Sequence, residues 1–148
     1  MLKTNLLILI LLSFSLSSQA SEKEKNKALT RTEFLDSVWN YLDNNQPLNS
    51  SELPLFIQFH ADWCASCRIA RSILNQLEPN YTGKVEFREI NIDHEQKLCK
   101  ELNITLVPSF LLISKTGEHT LFSGIAETKN ETKQKFEAAI QFHLLNNQ

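Results

Sequence analysis

The chain has 148 residues, 42% hydrophobic and 22% charged, which suits one globular domain and excludes a mostly disordered chain or a large multidomain enzyme. A net charge of -2 leaves no basic stripe of the kind nucleic-acid binders carry, so no nucleic-acid partner is expected. With 3 Cys, 3 Gly and 4 Pro, the sequence is neither a disulfide-stapled miniprotein nor a low-complexity segment.

Residues 1–20 have the layout of an export signal. Lys3 is a short positive start, Leu6 to Leu12 is an unbroken apolar run extended by Phe14 and Leu16, and Ser18-Gln19-Ala20 places small residues where a signal peptidase reads. The apolar stretch falls short of the ~18 residues a membrane-spanning helix needs, so cleavage after Ala20 is expected. The mature protein is then exported, to the periplasm in first place and as a secreted protein in second. Residues 21–27 form a charged, mobile leader, and residues 28–148 a single domain.

Thr30-Arg31-Thr32-Glu33 has capping-box spacing and opens a helix with Phe34, Leu35, Val38, Trp39 and Leu42 on its apolar side. Asn44 to Pro47 stops it. Leu55 to Phe59 is a short, nearly continuous apolar run after Pro54, which suits a strand buried on both faces. Residues 65–78 form a helix ended by Pro79 and Gly83, and Lys84 to Asp93 a second strand. A short helix covers Glu95 to Leu102. Ser109 to Ser114 and His119 to Ser123 make a hairpin about the turn Lys115 to Glu118. Thr128 to Glu131 is a second capping box, opening a last helix with Phe136, Ile140 and Leu144 on one face. This order predicts an α/β domain: a mixed central sheet, with parallel strands plus a C-terminal antiparallel hairpin, and helices on both faces.

The chemistry concentrates in Trp63-Cys64-Ala65-Ser66-Cys67, where a buried strand meets a helix start. Cysteines at i and i+3 in a first helical turn bring their Cα atoms to roughly 5–6 Å, which a disulfide can span. At the helix start, free N–H groups and the positive end of the macrodipole favour a thiolate at Cys64. Cys67, one turn in, is the more buried thiol and can attack a mixed disulfide later. Arg68 adds positive charge nearby. Two rival readings are a zinc site and a locked structural disulfide. One C-x-x-C supplies two of the four ligands that zinc needs, and no second ligand pair follows. A helix start is also an exposed place for an inert disulfide.

The segment Ala61-Asp62-Trp63-Cys64-x-x-Cys67-Arg68, followed by Val107-Pro108-Ser109 and by Gly117 and Gly124, resembles the thioredoxin family over residues 55–124 and on through the last helix. The Ala-Asp-Trp-Cys run and the export signal are especially similar to the C-terminal thioredoxin-like domain of DsbD, a periplasmic donor of reducing equivalents. The resemblance implies a thioredoxin fold and a thiol–disulfide oxidoreductase of protein-disulfide reductase or isomerase type. Cys64 and Cys67 would form the redox-active disulfide, with Cys64 the nucleophile and Cys67 the resolving thiol. Pro108 would be cis beside them, Val107 would offer its backbone to an extended substrate, and Trp63 would shield the site and touch substrate. No metal or organic cofactor is implied. The partners would be exported proteins with disulfides or oxidised thiols, and a membrane or periplasmic thiol reductant. A disulfide-forming oxidase and a non-enzymatic binding module, such as a copper carrier or adaptor, are the alternatives.

Five residues depart from the family pattern, tune it or stand apart from it. Gln58 stands six residues before Cys64, where family members usually carry a buried Asp or Glu that helps deprotonate the resolving thiol. An amide cannot take that proton, so resolution should be slow. Ala65 and Ser66, between the cysteines, carry no charge and favour a reducing or intermediate potential. His60, four before Cys64, either influences the thiolate or packs. Cys99 beside Leu98 reads as a buried small hydrophobe, or as a regulatory thiol.

Overall fold

The computed structural model describes residues 27–43, 47 and 51–146. Residues 1–26, where the sequence reading places an export signal and most of the charged leader, lie outside them. Lys27, which the charge run assigns to the leader, is tied to the fold. Its Nζ lies 2.6 Å from the Glu78 carboxylate and donates to Asn75 Oδ1 at 3.0 Å.

Helix α1 (Arg31–Ser37) opens on the predicted capping box: the Thr30 hydroxyl accepts from the Glu33 N–H and the Glu33 carboxylate accepts from the Thr30 N–H. It ends well before Asn44. The Val38 N–H bonds the Phe34 carbonyl at 2.9 Å in α-helical register, but the Trp39 N–H bonds the same carbonyl at 2.8 Å in place of Leu35's, which ends the helical ladder. Trp39 then packs on the rings of Tyr41 and His119, and Leu42 stands in solvent. Tertiary ring packing has overridden the helical period here.

Strand β1 (Leu55–His60) leads into α2 (Ala65–Leu77), which tightens into a 3₁₀ turn at Glu78–Tyr81 where Pro79 enters. Then come β2 (Glu86–Asn91), α3 (Gln96–Glu101), β3 (Ser109–Ile113), β4 (His119–Ser123) and α4 (Lys129–Ala139), which widens into a π-helical turn over Ile140–Leu145. The second capping box, Thr128 with Glu131, is formed. The β3–β4 turn needs Gly117. Its φ is +86°, and a Cβ there would meet the Pro47 carbonyl oxygen at 2.8 Å.

The sheet order is β2-β1-β3-β4. β1 runs parallel to β2, while β1–β3 and β3–β4 are antiparallel. One pair is therefore parallel, fewer than the alternation of strands and helices suggested. The reason is that the connection through the six-residue α3 does not carry the chain back to the end of the sheet where β2 begins, so β3 sets off from the end where β2 stops and runs antiparallel to β1. Helices cover both faces, as expected. Phe56, Phe87, Phe110 and Leu112 meet α2 and α4, including Phe136, Ile140 and Leu144, all three fully buried. Leu55, Ile57, Phe59, Leu111 and Ile113 meet Phe34 of α1 and Leu98 and Cys99 of α3. Burying each such side chain contributes roughly 1.5–3 kcal/mol.

Candidate active site

β1 delivers the chain to a tight turn whose Cys64 N–H bonds the Ala61 carbonyl at 3.2 Å. Cys64 is the N-cap of α2, and Cys67 lies in its first turn. The two are joined by a disulfide with a Cα–Cα distance of 5.2 Å. The Cys67 N–H points at Cys64 Sγ at 3.1 Å, and Ser66 Oγ lies 3.4 Å from the same sulfur. A helix N-terminus with a backbone N–H and a hydroxyl aimed at one sulfur is a site built to hold negative charge there. The Ser66 contribution escaped the sequence reading, which weighed only its lack of charge. Its position two residues into a helix start was the available signal.

The pair is more enclosed than a helix start implies. Cys64 is 5% exposed and Cys67 2%. They pack with Ala61 and against Ile92 and Val107, which come from the end of β2 and the segment before β3. The Val107–Pro108 peptide bond is cis. Ser109 donates to the Leu106 carbonyl at 2.6 Å, and Pro108's carbonyl accepts from Gly124 at 2.8 Å. Together these bonds hold the segment in place. Leu106 projects into solvent beside it, 66% exposed.

Trp63 is no core aromatic: it is 68% exposed. Its indole N–H donates to Asp93 Oδ1 at 3.3 Å, and Asn91 donates to Asp62 Oδ1 at 3.2 Å, so the loops after β1 and β2 are stitched together. Asp93 thus anchors the broad, exposed ring of the residue next to Cys64. Arg68 donates to the Asp62 carbonyl at 3.0 Å, which stiffens the loop in addition to supplying charge. Ala65 is exposed at the helix start.

Beneath the pair the sheet is polar. Gln58 is wholly buried, and its Nε2 donates to the Cys67 carbonyl at 3.1 Å. His60 is buried on the same face. Arg71, one turn after Cys67, places Nη2 3.0 Å from His60 Nε2 and 2.8 Å from Glu89 Oε2. Burial first, and the Arg71 guanidinium second, push the His60 imidazole down to about 4, so it is neutral at neutral pH. Its 3.7 Å approach to Glu89 is therefore no ion pair there. Cys99 is buried, and burial, with Glu95 adding to it, pushes its thiol up to about 11, which leaves it inert at neutral pH. Among the described residues, no three His, Cys, Asp or Glu side chains gather where they could hold a metal ion.

A family model described as Thioredoxin matches residues 38–141. The chain is 24% identical over 100 residues to a thioredoxin of Borreliella burgdorferi, covering 68% of this chain and 86% of that protein. It is 32% identical over 69 residues to a thioredoxin of Haemophilus influenzae, covering 47% and 64%. A thiol:disulfide interchange protein TxlA homolog of Synechocystis is 34% identical over 80 residues, covering 53% and 42%. The family match spans both cysteines, the cis-proline segment and all four strands: the chain belongs to the thioredoxin family, a thioredoxin-type redox protein with a Cys64–Cys67 pair.

Proposed function

We propose that this protein is an exported thiol–disulfide oxidoreductase that reduces or isomerises disulfides in other exported proteins. The observation that carries this reading is the Cys64–Cys67 pair at the α2 N-terminus, with the Cys67 N–H on Cys64 Sγ and the cis Val107–Pro108 bond alongside. In the dithiol form the Cys64 thiolate attacks one sulfur of a substrate disulfide. An S–S bond forms, the substrate's bond breaks, and its second sulfur leaves as a thiolate that takes a proton. Cys67 then gives up its proton and attacks Cys64 Sγ, which frees the reduced substrate and closes the Cys64–Cys67 disulfide. Two electrons pass to the substrate, and a second thiol donor must return them.

Trp63 and Leu106 flank the pair with exposed apolar surface, and Val107 supplies backbone for an extended peptide, which supports a protein rather than a small molecule as substrate. The export signal supports the periplasm as the compartment, with a membrane or periplasmic thiol reductant as the donor. The Ala61-Asp62-Trp63-Cys64 run supports a role like that of the DsbD C-terminal domain. Ala65 and Ser66, between the cysteines, carry no charge that would make the dithiol strongly favoured, which supports a reducing direction. The test is the equilibrium potential of the pair in glutathione buffers, followed by tryptophan fluorescence. A value near about −270 mV is the expected result; one near about −120 mV would make the protein a disulfide-forming oxidase. A pair that does not cycle would leave a binding module.

A further inference from the structure

Gln58 is buried completely, and only half of its amide is used. Nε2 donates to the Cys67 carbonyl. That carbonyl can only accept, so the amide's orientation is set: Nε2 must face it and Oε1 must turn aside. Oε1 is shut off from solvent and meets no donor among the described residues. Buried acceptors are nearly always satisfied, so an orphan beside a reactive group calls for an account. The redox cycle provides one, because the residue that Gln58 already touches changes its donor count. In the disulfide, Cys67 Sγ has no proton. Reduction by a dithiol breaks the Cys64–Cys67 bond, adds two electrons, and puts a proton on Cys67 Sγ. That new S–H appears among Ala61, Ile92 and Val107, whose side chains offer no acceptor, and Cys64, whose sulfur is the competing one.

We propose that Gln58 Oε1 accepts a hydrogen bond from the Cys67 thiol in the dithiol form, so that its acceptor is orphaned by oxidation and satisfied by reduction. The proposal rests on cycling of the Cys64–Cys67 pair. Gln58 then acts as a positioning residue that favours the reduced state. It holds Cys67 as an oriented thiol until a mixed disulfide forms, a role an amide can fill because it accepts a hydrogen bond without taking the proton.

The test uses the full chain in a Cys99→Ala background, which leaves two thiols. Gln58→Leu and Gln58→Met remove the acceptor, and Gln58→Glu keeps one. The first readout is the pair's equilibrium with glutathione; the second is the S–H stretching band of the reduced protein. Gln58→Leu should shift the equilibrium toward the disulfide by about tenfold, or about 30 mV for two electrons. Its S–H band should rise in frequency, while Gln58→Glu keeps the lower band. If Gln58→Leu does not fold, Gln58→Met carries the same expectation. A folded apolar variant with an unmoved potential and band overturns the proposal, since Gln58 would then merely pack or be satisfied in both states by a water. A wild-type pair that does not cycle in glutathione removes the functional reading, and this proposal with it.

Discussion

The two faces of β1 are built from alternate residues of one six-residue strand, and they differ in kind. Leu55, Ile57 and Phe59 face α1 and α3 and are apolar throughout. Phe56, Gln58 and His60 face α2, and this row turns from an aromatic cluster to polar groups as it nears the cysteines. Phe56 sits among Phe87, Phe110 and Phe136, with ring centroids 5.6 to 5.8 Å apart. Two residues on, Gln58 holds the Cys67 carbonyl, and four residues on, His60 meets Arg71. One face supplies stability alone. The other supplies it at one end and, at the other end, gives up apolar burial for a polar floor under the redox pair.

That contrast can be broken in several ways. The largest expected effect is on chemistry. Cys64→Ala should abolish exchange with a disulfide substrate, whereas Cys67→Ala should still attack but accumulate the mixed disulfide, visible by mass spectrometry; both should keep the fold, because the packing on either face is untouched. Next is the aromatic end of the α2 face. Phe56→Ala should lower unfolding free energy by about 3–5 kcal/mol in urea titration, since a large fully buried side chain is lost from a ring cluster.

The polar end should respond to pH. His60 has its folded value pushed below the ordinary 6.5, to about 4. Between those values the unfolded chain binds the proton and the folded one resists it. Its contribution is thus fully present above pH 6.5 and is lost as pH falls toward 4, by at most about 3 kcal/mol. Arg71, Glu89, Asp62, Asp93 and His94 surround this imidazole and set the shape of the loss. His60→Phe should flatten the acid limb of stability against pH; a slope equal to wild type would count against His60 as its source. The smallest effect is a rate. Gln58→Asp should speed resolution of the mixed disulfide by on the order of tenfold at neutral pH, because a carboxylate can take the Cys67 proton. Stopped-flow measurement of a trapped mixed disulfide reads this step, and an unchanged rate would place the proton acceptor elsewhere.

Much of this molecule was legible locally. Both capping boxes formed as written, and Phe136, Ile140 and Leu144 share one buried face, because these signals involve residues three or four apart on a helix. The cysteine pair was legible for the same reason. Apart from the Ser66 hydroxyl, a local contact, what failed to show was a matter of which elements meet. The length of α1 was overestimated because Trp39 is claimed by His119, far along the chain, together with nearby Tyr41. The enclosure of Cys64 depends on Ile92 and Val107 closing over a helix start that is open in isolation. The bond from Trp63 to Asp93 joins two loops 30 residues apart.

By itself, then, the sequence determined the elements and their order, their caps, the apolar rows, and a redox-capable cysteine pair at a helix start. All of these follow from short-range geometry and from side-chain chemistry. Only the tertiary structure decided that β3 runs antiparallel to β1, that His60 is a buried neutral imidazole against Arg71 and Glu89, and that Gln58 spends one half of its amide on Cys67 and leaves the other half open. Strand direction, desolvation and hydrogen-bond satisfaction are properties of neighbours brought together in space, and no spacing along the chain encodes which neighbours those are.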